Sequence, residues 1–385
     1  MKRLIFPLLL SFIIFGCQES KDLDAKLSAI SFSDSLEIKV PTTVNAEKIL
    51  KRFTLHANCL TSFGSPYSDP RNIVSYSFTD KNWEQWRVPK KYFLDQINFL
   101  SAKDDGGFFV FPYSTGRFYS LYPTNDKSGS SYFFSDPDVL LNQVLLLNNI
   151  FLGYDEDHVF FPSLAFDYKN DPDNYLSAPH LIAKYDLSTR QEQLMVSFPE
   201  SYHDWGSAEQ FSYADLDYSY ILLGDSLIVN FNLASAIYVY DKKSGVFIGK
   251  KDVSFPYLNN LEPLPERAVD DPQMVSLFRE INGEYGGLIY DPYRKFVIRI
   301  AKIFPEKNER RITKSKEAFS LLRKRKICLA FLDTSLNLLG MAIMPDRGET
   351  LLPLQDGLYV ASPHHSKEST IKLLQLDLSF LSHVD

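Results

Sequence analysis

The stretch Ala236-Ile-Tyr-Val-Tyr-Asp-Lys-Lys-Ser-Gly-Val-Phe-Ile-Gly-Lys-Lys-Asp252 alternates, breaks at a short polar turn, and alternates again. Period-two alternation on both sides of a tight turn is the pattern of a β-hairpin with one face turned to a core. The same short apolar run ending in Asp recurs at Leu181–Asp186, Gly287–Asp291, Leu329–Asp333 and Ile371–Asp377. The five Asp residues stand at 186, 241, 291, 333 and 377, successive intervals of 55, 50, 42 and 44 residues. An irregular repeat of this length in an all-strand pattern points to the blades of a β-propeller, in which each unit buries its faces only against its neighbours.

Further hairpins are expected where the motif is degenerate: Ile73–Phe78 with Trp83–Val88, Phe108–Pro112 with Arg117–Tyr122, and His180–Asp186 with Gln193–Phe198. Tyr218–Leu223 with Leu227–Phe231 leads into the opening motif, and Ile327–Asp333 with Leu338–Met344 and Gly357–Ala361 with Thr370–Leu376 follow it. Strand pairs near residues 78, 120, 186, 241, 291, 333 and 377 make seven blades the preferred count, with six and eight allowed. The strand Leu36–Val40 has no neighbouring partner, and Thr370–Leu376 lacks one downstream, so the two termini are expected to pair and close the ring. Ala46–His56 fits helix or strand equally, and Asp271–Ile281 and Arg310–Lys326 carry apolar residues at helical spacing, as short insertions.

Repeat folds grow by adding units around one axis, so 385 residues do not require two domains. A content of 30 Phe and 22 Tyr suits pleated strands. A net charge of −7 excludes a general nucleic-acid binder, which needs a basic face.

Met1-Lys2-Arg3, the apolar run Leu4–Phe15, and Gly16-Cys17 form a secretion signal too short to remain as a membrane span. The end Ile14-Phe15-Gly16-Cys17 resembles the bacterial lipobox, which implies cleavage before Cys17 and its diacylation; an ordinary cleaved signal with an incidental cysteine is the alternative. The expected division is a signal at 1–17, a flexible tether at 18–33 and one propeller domain at 34–385. Gln18-Glu-Ser-Lys-Asp22 is similar to the surface-export signal of Bacteroidota lipoproteins, interrupted at Leu23. The expected location is therefore the outer membrane, facing the periplasm or the cell surface. An oxidising compartment permits a disulfide between Cys59 and Cys328, but two buried thiols are expected. Lipobox, Tyr/Phe-rich degenerate blades and the ending Leu-Gln-Leu-Asp-Leu together resemble a family of uncharacterised Bacteroidota lipoproteins, classed as a domain of unknown function. That resemblance implies a propeller-like fold and an envelope location, and brings no catalytic residues.

The motif Asp residues sit where strand meets turn and are expected to accept backbone N–H groups two residues on. Asp167–Asn174 resembles a calcium loop but lacks its sixth-position Gly and distal Glu. Asp155-Glu-Asp-His158 offers metal-type donors, yet consecutive strand residues face alternately and do not converge. The densest mixture of aromatics, acids and histidine is His203, Asp204, Trp205, Asp215 and Asp217, a candidate ligand site: aromatic faces stack on sugar rings and carboxylates take hydroxyl hydrogen bonds. A loop packed by its own aromatics is the bland alternative. His364-His365 suggest no role. Lys307–Lys326 holds nine basic residues against two acids, among them Arg310, Arg311, Arg323, Lys324, Arg325 and Lys326, a candidate patch for an anionic partner or a solvated amphipathic insertion. No Gly-x-Ser-x-Gly elbow, phosphate-binding glycine loop or His-Glu-x-x-His occurs, and no metal or other cofactor is expected. The expected function is a binding or scaffold module for a protein or glycan, held on a membrane by an N-terminal lipid. An envelope enzyme acting on a polysaccharide is the alternative, since propeller active sites leave no local motif. The oligomeric state is not legible.

Overall fold

The computed structural model describes residues 28–41, 46–51, 53–56, 58–63, 71–89, 97–103, 106–112, 117–122, 129–133, 153–162, 181–199, 218–256, 258, 283–303, 326–344, 350–361 and 369–381. The chain enters through β1 (Ser28–Ala29) and β2 (Phe32–Lys39), and Ala46–His56 resolves into both expected forms, helix α1 (Ala46–Lys51) and then strand β3 (Phe53–His56). Among the described residues, strands thus begin at Ser28, inside the stretch expected as tether.

Blade 1 is β3 with β4 (Cys59–Phe63), β5 (Asn72–Ser77) and β6 (Asn82–Arg87); blade 2 is β7 (Ile97–Ala102), β8 (Phe108–Pro112), β9 (Arg117–Leu121) and β10 (Ser130–Phe133). Blade 3 is β11 (Gly153–Tyr154), β12 (His158–Pro162), β13 (Ile182–Asp186) and β14 (Glu192–Met195). Blade 4 is β15 (Tyr218–Leu223), β16 (Ser226–Phe231), β17 (Ala236–Asp241) and β18 (Phe247–Asp252). Blade 5 is β19 (Glu284–Asp291), β20 (Phe296–Ile303), β21 (Lys326–Leu332) and β22 (Leu338–Ile343), with β1 added in parallel on β22. Blade 6 is β23 (Thr350–Leu354), β24 (Gly357–Ala361) and β25 (Thr370–Leu376), completed by β2.

The N-terminal strand closes the ring as expected: β2 runs antiparallel to β25, with Leu36 opposite Leu373 and Ile38 opposite Ile371. The preference for seven blades is corrected to six. The described strands form six sheets, and the buried apolar residues form six clusters, one at each junction between consecutive blades including 6 to 1. Alternation feeds two clusters from one strand. In β16, Leu227, Val229 and Phe231 face blade 3, while Ile228 faces blade 5.

The surplus blade came from Asp291. Asp186 and Asp241 end third strands, Asp333 and Asp377 directly follow them, and Ser77 and Leu121 end the other two; Asp291 instead ends a first strand, at the turn from β19 to β20. Its turn is nevertheless built like those at Asp186 and Asp241. Backbone hydrogen bonds join Arg190 N to Asp186 O and Gly245 N to Asp241 O, and the fourth residue after the Asp is left-handed at Arg190 (φ 60), Gly245 (φ 74) and Lys295 (φ 58). Both hairpins of a blade can use this turn, so its sequence signature counts turns rather than blades. Cys59 and Cys328 are both free thiols, but only Cys328 is buried as expected; Cys59, at the start of β4, is half-buried. The expected insertion at Asp271–Ile281 lies outside the described residues, as does Arg310–Lys326 apart from Lys326, which starts β21.

Candidate functional site

The motif carboxylates act on their own turns. Asp186 Oδ1 accepts Ser188 N and Thr189 N at 2.8 Å each and the Ser188 hydroxyl at 2.7 Å. Asp241 Oδ1 takes Ser244 N at 2.7 Å, Asp291 Oδ1 takes Tyr293 N at 3.0 Å, Asp333 Oδ1 takes Ser335 N at 2.8 Å, and Asp377 Oδ1 takes Ser379 N at 3.0 Å. Donation from the Thr189 backbone and the Ser188 hydroxyl holds the Asp186 carboxyl far below its ordinary range. These acids are turn caps, as expected.

The densest polar junction among the described residues lies between the turns of blades 3 and 4. Asp155 and His158 do meet, because they flank a turn rather than sharing a strand: Asp155 Oδ1 takes His158 N at 2.9 Å and lies 2.9 Å from His158 Nδ1. Glu156 and Asp157 between them are exposed. His158 Nε2 stands 4.0 Å from Asp186 Oδ2, and Lys242 Nζ of blade 4 stands 3.3 Å from Asp155 Oδ2. Lys184 reaches across to the Lys243 carbonyl at 2.7 Å, and Gln193 to the Ser244 carbonyl at 3.0 Å. Burial works to raise the Asp155 carboxyl, but hydrogen bonds from His158 and Lys242 outweigh it and leave the group below its usual range. Burial pushes the Lys184 amine down despite Asp155 and Asp186 nearby. Lys242 on Asp155, Lys184 on the Lys243 carbonyl and Gln193 on the Ser244 carbonyl join the two blades, while His158 and Asp186 are engaged within blade 3, so the named side chains serve the frame. Among the described residues no group of three or more His, Cys, Asp or Glu is arranged to hold a metal ion.

Sequence reading missed Arg299. It is fully buried in β20 and faces blade 4, where Asn230 of β16 is 1% exposed. Its Nε donates to Asn230 Oδ1 at 2.8 Å, Nη1 to the carbonyls of Ser235 at 2.5 Å and Val253 at 2.6 Å, and Nη2 to that of Ala234 at 2.5 Å, while the guanidinium lies 3.9 Å from the Tyr285 ring centroid. Asn230 donates in turn to the Gly286 carbonyl. The available signal was one polar residue inside each of two apolar runs, Leu-Ile-Val-Asn230-Phe and Phe-Val-Ile-Arg299-Ile.

The remaining feature is an open groove of about 530 Å³ at the end of blade 1 opposite its tight turn, with Asn72, Gln85, Trp86 and Arg87 in its lining. β5 and β6 set these residues side by side, Asn72 opposite Arg87 and Ile73 opposite Trp86. Gln85 and Arg87 are exposed, while Trp86 is half-buried and stacks on Phe108 of blade 2 at 5.8 Å and 17°. An indole flanked by two amides and a guanidinium offers both apolar contact and hydrogen bonds. The sequence candidates His203, Asp204, Trp205, Asp215 and Asp217 lie outside the described residues, as do Cys17, Asp167–Asn174, His364, His365, Arg310, Arg311, Arg323, Lys324 and Arg325; Lys326 is described and exposed.

No protein-family model matches this chain, and no curated protein matches it. Among solved structures, it is similar to a member of the DUF4221 family from Bacteroides vulgatus, with a TM-score of 0.65 at 13% identity over 92% of this chain and 99% of the other. More distant likenesses include a candidate exported protein from Bacteroides fragilis (TM-score 0.48, 9% identity, 92% and 96% covered) and virginiamycin B lyase from Staphylococcus aureus (TM-score 0.42, 10% identity, 89% and 99% covered). The first likeness shows the fold alone, and the other two carry no functional inference.

Proposed function

We propose that this chain is a binding module: a six-bladed propeller held on a membrane by acyl chains on Cys17, presenting the groove of blade 1 to a glycan or protein. The observation that carries this reading is the composition of that groove, where Trp86 stands beside Asn72, Gln85 and Arg87. The Asp155–His158 junction, which holds residue types used in catalysis, is by contrast consumed by the frame. The fold shared with the Bacteroides vulgatus protein is in keeping with the lipoprotein resemblance of the sequence, and an outer-membrane location belongs to this proposal. So do further ligand contacts from His203, Asp204, Trp205, Asp215 and Asp217, and an anionic partner for Arg310, Arg311, Arg323, Lys324, Arg325 and Lys326.

The test is titration of the purified chain against a panel of envelope polysaccharides and against protein captured from native membranes by crosslinking. Trp86→Ala is expected to weaken the ligand about 30-fold, as loss of a central aromatic anchor does, and to lower the melting temperature through its lost stack on Phe108, whereas Arg87→Gln, at an exposed position, should weaken binding with an almost unchanged melting temperature. If Trp86→Ala and Arg87→Gln bind every ligand as the native chain does, the groove is not the site. Cys17→Ala tests the anchor, because the variant must lose the acyl chains found by mass spectrometry on the native protein.

A further inference from the structure

Blade 4 carries an apolar tip. Val246, Phe247 and Ile248 follow the turn into β18 and are 62%, 51% and 62% exposed, while Phe247 meets Tyr240 edge-on and Tyr238 at a tilt, at 5.6 and 6.2 Å between ring centroids. Three consecutive exposed apolar side chains are unusual on a protein surface and point to something that covers them. Lysines bracket them on both sides, Lys242 and Lys243 before and Lys250 and Lys251 after. Asp241 and Asp252 leave residues 241–252 at net +2 within a chain at net −7, and Asp241 is committed to Ser244.

β18 is also the outer edge of its sheet. A partner strand is a poor occupant of that edge, because Lys250 and Lys251 on it are the residues that discourage strand addition. Apolar side chains ringed by lysine amines suit a bilayer surface instead: the apolar groups enter the interface and the amines meet lipid phosphates. The tip is connected to the point where the tether joins. Lys251 Nζ donates to Asn337 Oδ1 at 2.9 Å, Asn337 precedes β22, and the far end of β22, at Ala342 and Ile343, carries β1, the first described strand. Cys17 precedes Ser28 by eleven residues, which span about 40 Å at most when fully extended.

We infer that Val246, Phe247 and Ile248, with Lys243, Lys250 and Lys251, form a second membrane contact that lays the rim of blades 4 and 5 on an anionic bilayer, while Lys242 stays on Asp155. This rests on the proposed lipid tether and adds an orientation to it. Blade 4 stands opposite blade 1 in a ring of six, so the contact turns the groove at Asn72, Gln85, Trp86 and Arg87 away from the membrane.

The lipidated full-length chain is reconstituted in vesicles containing phosphatidylglycerol, in phosphatidylcholine vesicles and in detergent, and amide hydrogen exchange is followed over residues 242–252. Protection of this segment in the anionic vesicles alone is expected, and Phe247→Ser with Ile248→Ser should abolish it without changing exchange in β15 to β17. A chain that stays on vesicles while the segment exchanges as in detergent overturns the inference and leaves the tether standing. A chain that carries no lipid overturns the tether; the tip is then tested by sedimentation with added anionic vesicles, where Lys250→Gln with Lys251→Gln should weaken binding about 30-fold. Equal sedimentation of native and variant chains, or protection that follows protein concentration in the absence of vesicles, also overturns it, the latter in favour of a second copy of the chain.

Discussion

Blade 4 meets its two neighbours through polar groups of opposite exposure. Toward blade 3, Asp155 keeps 27% of its side-chain surface in solvent and Lys242 keeps 22%. Toward blade 5, Arg299 keeps none. The exposed junction rests on an ion pair at 3.3 Å, Lys242 Nζ to Asp155 Oδ2, that solvent can reach and partly replace. The buried one has no such recourse, and the guanidinium is matched by three carbonyls, the Asn230 amide and the face of Tyr285. Burial rather than formal charge should therefore decide which junction holds the ring together.

Arg299→Met is the largest break. It strips the donor from the carbonyls of Ala234, Ser235 and Val253 and is expected to cost about 3–5 kcal/mol in denaturant unfolding. Arg299→Lys should recover only part, since an ammonium lacks the planar fork that reaches all three. A Met variant within about 1 kcal/mol of the native chain would show that the two junctions are equivalent. Next in size is Asn230→Leu, expected to cost about 1–3 kcal/mol by leaving Arg299 Nε and the Gly286 carbonyl unpaired. Combined with Arg299→Met, its cost should be well below the sum of the two, because both remove one network.

Acid separates the junctions by chemistry. The carboxyls of Asp155, Asp186, Asp241, Asp333 and Asp377 sit below their ordinary range in the folded chain. Their stabilisation is complete above the unfolded value of about 4 and is lost as pH falls through the lower folded values. Arg299 does not titrate in this window. Hydrogen exchange at about pH 3 should accordingly rise in the turns after Asp186, Asp241 and Asp333 before it rises at Ala234–Ser235. Simultaneous opening would mean that the turn caps and the clasp belong to one cooperative unit.

What the sequence made legible follows the same division between local and long-range physics. Hairpins were readable because alternation and turn chemistry are local: the opening motif, β13 with β14, β21 with β22 and β24 with β25 all stand where the pattern put them. Blade number was not, because Asp291 caps a turn built like those at Asp186 and Asp241, and only the pairing of β19 through β22 places two such turns in one sheet. The four side chains of Asp155–His158 do not converge, as expected, but Asp155 and His158 meet as a pair because the segment is a turn rather than a strand. Arg299 and Asn230 stand 69 positions apart, and nothing local says that their two apolar runs face each other. The groove escaped for a similar reason: Asn72 and Arg87 become neighbours only through the register of β5 and β6.

His158→Gln should have the smallest effect. A glutamine amide can still donate to Asp155 Oδ1, now met by the imidazole at 2.9 Å, and the longer approach to Asp186 is partly solvated already. Asp155 would keep Lys242 and the His158 backbone N–H, since the latter does not depend on the side chain. The expected cost is about 0–1 kcal/mol, within the range of exposed ion pairs, and it should shrink further with added salt. A cost near that of Arg299→Met would reverse the comparison. It would show that the blade 3 junction excludes water in solution and that His158 is a keystone, in which case Lys242→Met should be nearly as damaging, because both side chains converge on the same carboxylate.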